Sequence, residues 1–136
     1  MGVLTMIYTA HEIRGGIYET YKQVAVDAKL RYMPYAQAGW LQEKGNCFTM
    51  YSYSSRIFTV KFDDTGVSEI STRNADAAIN YSRTTSMQVT AAMRELGLND
   101  NEISVLKKFF INGGEIAIAT HDGKHWVNGD NCEVIC

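Results

Sequence analysis

Proline is nearly absent from this chain: Pro34 is the only one in 136 residues. It has no N–H and disfavours a helical conformation at Met33, so it blocks continuation of any helix that reaches it. No run of about 18 apolar residues occurs, which excludes a membrane-spanning helix. The first residues, Met1 to Met6, hold no charged stretch ahead of an apolar run, so no secretory signal is expected. Myristoylation would want Ser or Thr where Met6 stands. An excess of positive charge is also lacking. The formal net charge is −2, so no global basic field drives nonspecific nucleic-acid binding. A local basic patch stays open, as does a role against another molecule's basic groove. Cysteine is scarce and odd in number: Cys47, Cys132 and Cys136. Reduced thiols in a cytoplasm are the expectation. A C-terminal prenylation box would need cysteine in place of Glu133. No glycine-rich phosphate loop with its lysine is present, so nucleotide hydrolysis finds no support.

Apolar residues make up 46% of the chain, enough for a buried core, and the length suits one domain spanning residues 1–136. Val3 to Tyr8 reads as a short strand. Ile17, Tyr21, Val24 and Ala28 follow helical spacing after the Gly15-Gly16 break. Tyr35 to Trp40 reads as a turn or helical patch ending near Gly39. From Cys47 the pattern changes to alternation through "CFTMYSYSS", "RIFTVKF" and "VSEIST", an antiparallel meander turned at Asp63-Asp64-Thr65-Gly66. Ile79-Asn80-Tyr81 reads as a short strand after a loop. A helix over Thr85–Leu96 would bury Met87, Val89, Ala92, Met93 and Leu96, with Gly97 as its stop. A second helix opens at Asn99 with Glu102 in a capping box and buries Ile103, Leu106, Phe109 and Phe110. Gly113-Gly114 ends it. A hairpin at Asp122-Gly123 would then pair His121 with Lys124 and Thr120 with His125. The expected fold is α+β: an antiparallel sheet of about five strands, two consecutive helices on one face, and an N-terminal helical element. Its parts are a helical 1–46, a sheet–helix–helix–hairpin core over 47–128, and a tail over 129–136.

Two hydroxyl-rich segments carry the chemical interest. In Tyr81-Ser82-Arg83-Thr84-Thr85-Ser86 a single Ser or Thr suffices to cap the helix. The surplus, with Arg83, permits an anion or a partner contact at the helix start. Simple capping with turn structure is the plainer reading. Tyr51-Ser52-Tyr53-Ser54-Ser55-Arg56 could stack single-stranded bases, although a half-buried strand is the preferred reading. Trp40 belongs to an aromatic excess of the kind that anchors interfaces. Asp63 and Asp64 occupy turn positions, where aspartate has a structural role. Zinc would require His121, His125, Cys132 and Cys136 to converge; an ordinary hairpin with a loose tail is preferred, and no metal or cofactor is expected. Cys47 reads as a small buried hydrophobe rather than a nucleophile. Nothing in the sequence assembles an acid–base pair, and no enzyme activity is expected.

The order of pieces from Phe48 to Leu98 is a strand ending in Ser-Tyr-Ser, an acidic turn, another strand, then Tyr-Ser-x-Thr-Thr-Ser opening an amphipathic helix. It resembles a group of small uncharacterised proteins of bacterial phages and mobile elements. The chain departs from that group at Met87-Gln88, where a basic or His-containing pair is frequent. The resemblance implies an accessory protein in a bacterial cytoplasm, of the anti-CRISPR kind. It would bind a protein–nucleic-acid defence complex without catalysis, and Cas9, with its basic channel, is the first candidate target. The expected partner-binding residues are Trp40, Tyr51, Tyr53, Arg56, Asp63, Asp64, Arg83, Thr84, Thr85 and Ser86. The alternative is a single-stranded nucleic-acid module, with Tyr51, Tyr53, Arg56, Arg83 and Arg94 on one face. A homodimer is compatible with either.

Overall fold

A computed structural model of the chain describes residues 7–8, 38–63 and 66–135. Its strands are β1 (Ile7–Tyr8), β2 (Ala38–Lys44), β3 (Cys47–Ser52), β4 (Ser55–Asp63), β5 (Gly66–Ser71), β6 (Ile118–His121) and β7 (Trp126–Asn128). Its helices are α1 (Arg83–Glu95) and α2 (Asp100–Asn112). The strands form one antiparallel sheet in the order β1-β2-β3-β4-β5-β6-β7. The fold is α+β, as expected from the sequence, with a wider sheet.

Alternation along β3 and β4 decides which face is core. Phe48, Val60, Ile70 and Ala119 are successive register partners across β3, β4, β5 and β6. Trp40, Met50 and Phe58 form a second such row. None of these side chains is more than 1% exposed. Trp40 meets Phe58 edge-on at 5.6 Å, and Phe48 meets Phe62 likewise at 5.6 Å, the geometry aromatic quadrupoles favour. The opposite parity carries Thr49 bonded to Thr59 at 3.0 Å and Lys61 paired with Glu69 at 3.5 Å.

Both helices cover the aromatic face. Val89, Ala92 and Met93 of α1 and Ile103, Leu106 and Phe110 of α2 join the same core. The helical hairpin is an insertion between neighbouring strands β5 and β6. The chain leaves at Thr72 and returns at Ala117, where Thr72 N donates to Ala117 O at 3.0 Å and Ala117 N donates to Thr72 Oγ1 at 3.0 Å. Gly97 has φ +97, and a Schellman pattern closes α1, with Gly97 N donating to Arg94 O and Leu98 N to Met93 O. Gly113 allows a close approach, since a Cβ there would meet Phe109 O at 2.8 Å.

Several expectations need correction. Residues 38–44, read as the end of a turn or helical patch and part of a helical segment, form β2. Tertiary pairing with β3 overrides the weak strand preference of Ala38, Gly39 and the charged residues that follow. Ile79-Asn80-Tyr81 is a turn, with Tyr81 N donating to Ala78 O at 3.0 Å. Val89, Ala92 and Met93 of α1 and its C-cap Leu96 are buried as expected, but Met87 is 41% exposed and Gln88 is fully buried in its stead. In the last hairpin His121 pairs with Trp126 and Thr120 with Val127, leaving 122–125 as the loop. Asp122 Oδ1 accepts from Lys124 N at 2.9 Å and His125 N at 2.7 Å, which favours this longer turn over the expected two-residue one. The helix expected over residues 17–30 lies outside the described residues.

Candidate functional site

The two hydroxyl-rich segments, distant in sequence, meet at one end of the sheet. Ser52 shares the parity of Phe48 and Met50, so its hydroxyl points toward the helices. It lies 3.2 Å from Thr85 Oγ1 and donates to Gln88 Oε1. On α1, Ser82 is the N-cap: its Oγ accepts from Thr85 N at 3.1 Å and its hydroxyl donates to Thr85 Oγ1 at 3.1 Å. With Ser82 donating to Thr85 and Ser52 donating to Gln88, the proton between Thr85 and Ser52 comes from Thr85. The result is a one-way hydrogen-bond chain from the cap to the buried amide. It ends on Gln88 Oε1, and Nε2 of the same amide is buried and has no partner. An orphaned buried donor of this kind costs about 1–3 kcal/mol.

Ser86 and Thr90 face α2 instead. Lys107 Nζ donates to Ser86 Oγ at 2.7 Å, Ser86 O at 3.2 Å and Thr90 Oγ1 at 2.9 Å. These contacts use all three of its protons, and burial holds its pKa below the usual lysine value.

The exposed part of this end is aromatic and basic. Tyr53 sits in the β3–β4 turn with φ 56, the left-handed region that tyrosine rarely adopts, and is 51% exposed. Tyr81, just before the cap, is 73% exposed. Arg83 opens α1 in solvent, one turn before Met87. Arg56 anchors the 73–82 loop: Asp76 Oδ2 lies 3.1 Å from Arg56 N and 4.0 Å from Arg56 Nε, and Asp76 N donates to Arg56 O at 2.8 Å.

The expected contact residues therefore divide. Tyr53, Arg56 and Arg83 are exposed at this end, and Thr84 and Ser86 are half-buried beside them. Trp40 and Thr85 are interior, at 0% and 3% exposure. Tyr51 is also buried; burial raises its phenol pKa, and its hydroxyl has no partner. Asp63 is exposed at the end of β4, at the opposite end of the sheet, and Asp64 lies outside the described residues. Arg94, at the far end of α1, pairs with Asp100 at 2.9 Å. Sequence reasoning missed Gln88 and Lys107. The i, i+3 relation of Thr85 to Gln88 was the available signal for the first.

Among the described residues no group of three or more His, Cys, Asp or Glu is placed to hold a metal. His121 Nδ1 accepts from Gly123 N at 3.1 Å, and its ring meets Trp126 edge-on at 5.2 Å. The described residues hold no helix long and apolar enough to cross a membrane. The fold and this end of it define an α+β domain that presents exposed aromatic and basic side chains around a hydrogen-bonded helix start. No protein family, curated protein or solved structure matches the chain.

Proposed function

We propose that this chain is a noncatalytic binding protein whose contact surface is the sheet end carrying Tyr53, Tyr81, Arg83 and Met87. The observation that carries the reading is the exposure of Tyr53 and Tyr81, at 51% and 73%, on either side of a helix start held by the Ser52–Thr85 contact. Tyr and Arg are the side chains that most often anchor interfaces, and methionine adapts to a partner's shape. Tyr53 supports the reading further. A left-handed backbone costs a non-glycine residue about 1–2 kcal/mol, a cost the turn bears while holding the ring in solvent. The setting follows the resemblance over Phe48–Leu98: a phage-type inhibitor acting in a bacterial cytoplasm on a protein–nucleic-acid defence complex, with Cas9 the first target to test.

The rival reading, a single-strand binder, draws on Tyr53, Arg56 and Arg83 at one end of the molecule. It is weakened by the burial of Tyr51 and the pairing of Arg94 with Asp100. The test is a tagged pull-down from bacterial lysate containing an expressed Cas9 ribonucleoprotein, with and without nuclease. Protein recovered in both arms supports the inhibitor reading. Recovery that vanishes with nuclease, or binding to single strands that falls steeply with salt, favours the rival. No recovery in either arm counts against both.

A further inference from the structure

The outer side of the helical hairpin carries a surface the binding reading does not use. Ile111, near the end of α2, is 49% exposed. Two depressions meet at this side chain. One, of about 370 Å³, is lined by Arg94, Asp100, Lys107 and Lys108. Arg94 and Asp100 pair with each other at 2.9 Å, so the lysines give this side a cationic excess. The other depression, of about 290 Å³, is lined by Asp76, which Arg56 partly neutralises, and by Glu115, which supplies its anionic charge. It adjoins the C-terminal end of α2, whose last turn contains no basic residue. That end carries partial negative charge from its carbonyls and is stabilised by a nearby cation. Ile111 thus separates a cationic side from an anionic one.

The order along the chain makes this surface complementary to itself. Lys108 precedes Ile111 by three positions and Glu115 follows it by four. A two-fold axis passing by Ile111 would set two α2 helices antiparallel. It would bring Lys108 of each copy to the partner's Glu115 and to the partner's helix C-terminus, and Ile111 against its own counterpart. An isologous contact has this property: one patch supplies both halves of the match. A partner of a single charge sign would satisfy only one side of Ile111.

We propose that the outer face of α2 is a self-association surface and that its occupant is a second copy of this chain, joined antiparallel about Ile111. This goes beyond the binding reading and stands without it. The test is sedimentation velocity of the full chain over about 5 to 500 µM, a range suited to weak association. The expected result is a shift from monomer to dimer with rising concentration, weakened by high salt through screening. Ile111→Asp should abolish the shift. Lys108→Glu and Glu115→Lys should each weaken association by about tenfold or more, and the double variant should recover most of it, because each single change opposes like charges and the swap restores the match. The swap keeps the test decisive should Ile111→Asp fail to fold. A wild-type chain that stays monomeric throughout overturns the proposal, as does a folded Ile111→Asp that still dimerises, or a double variant no better than the singles.

Discussion

The two helices begin at opposite ends of the sheet, and their starts are built differently. The start of α2 is capped by its own residues and takes one tie from β7. Asn99 Oδ1 accepts from Glu102 N at 2.8 Å, Asn99 N donates to Glu102 Oε1 at 3.1 Å, and Trp126 Nε1 donates to Glu102 Oε2 at 2.9 Å. Asp100 and Glu102 place negative charge where the helix dipole favours it. The start of α1 has no acidic residue in its first turn, and its hydroxyls reach outward from the helix to other elements. Ser82 caps, Thr85 reaches β3 through Ser52, and Ser86 holds Lys107. The first start completes a helix and ties it to β7. The second ties three elements together and leaves Tyr81 and Arg83 in solvent.

The largest effect that would break this contrast is expected at Gln88. Gln88→Ala opens a hole at a fully buried site and strips Ser52 of its acceptor, at a net cost of about 1–3 kcal/mol after the relief of removing the orphaned Nε2. A urea midpoint unchanged by the substitution would show that the hydrogen-bond chain does not hold α1 to the sheet. Glu102→Ala, at the other start, should cost about 1–2 kcal/mol, because the Asn99 N–H and the Trp126 indole both lose an acceptor. Ser82→Ala should cost about 1 kcal/mol through the lost cap. Tyr53→Asn should leave stability unchanged or raise it by up to about 1 kcal/mol, since asparagine tolerates the left-handed region. A clear loss there would mean that the ring is needed for packing rather than contact.

The smallest effect belongs to Asp122, at the sheet end where α2 begins. Its carboxyl is held below the usual aspartate value, first by the N–H of His125 and then by that of Lys124. A folded pKa below the unfolded 3.8 means that the contribution is fully present above pH 3.8 and is lost as pH falls through the folded value. The side-chain carboxyl carbon resonance of Asp122 should therefore titrate with a midpoint below 3.8. A carboxyl midpoint at or above 3.8 would contradict the arrangement.

The α2 start was legible in the sequence because its device is local: Asn99 and Glu102 stand three positions apart and satisfy each other. The meander over β3, β4 and β5 was legible because alternation survives in "RIFTVKF". The α1 start was only half legible. Its cap could be read from local residues, but Thr85 and Gln88 are fixed by Ser52, a residue on a strand distant in the chain. Met87 was chosen by hydropathy but lies off the stripe of Thr85, Val89, Ala92 and Leu96, whereas Gln88, one turn before Ala92, lies on it and meets Ser52. Strand β2 escaped notice because its residues take their conformation from β3. Among the expected contact residues, Tyr53 and Arg83 lie outside the core, whereas Trp40 and Thr85 were chosen by residue type and the sheet buries them.

The central claim is that the exposed rim around the α1 start binds a protein partner while the hydroxyls beneath it serve the fold. The most direct measurement compares pull-downs of the wild-type chain and a Tyr81→Ala/Arg83→Ala variant from lysate containing the Cas9 ribonucleoprotein, with the urea midpoints of both chains in hand. Surface changes of this kind cost at most about 0.5 kcal/mol each in stability, whereas loss of interface anchors should lower recovery by about tenfold or more. A variant that unfolds like the wild type and recovers its partner equally well would contradict the claim.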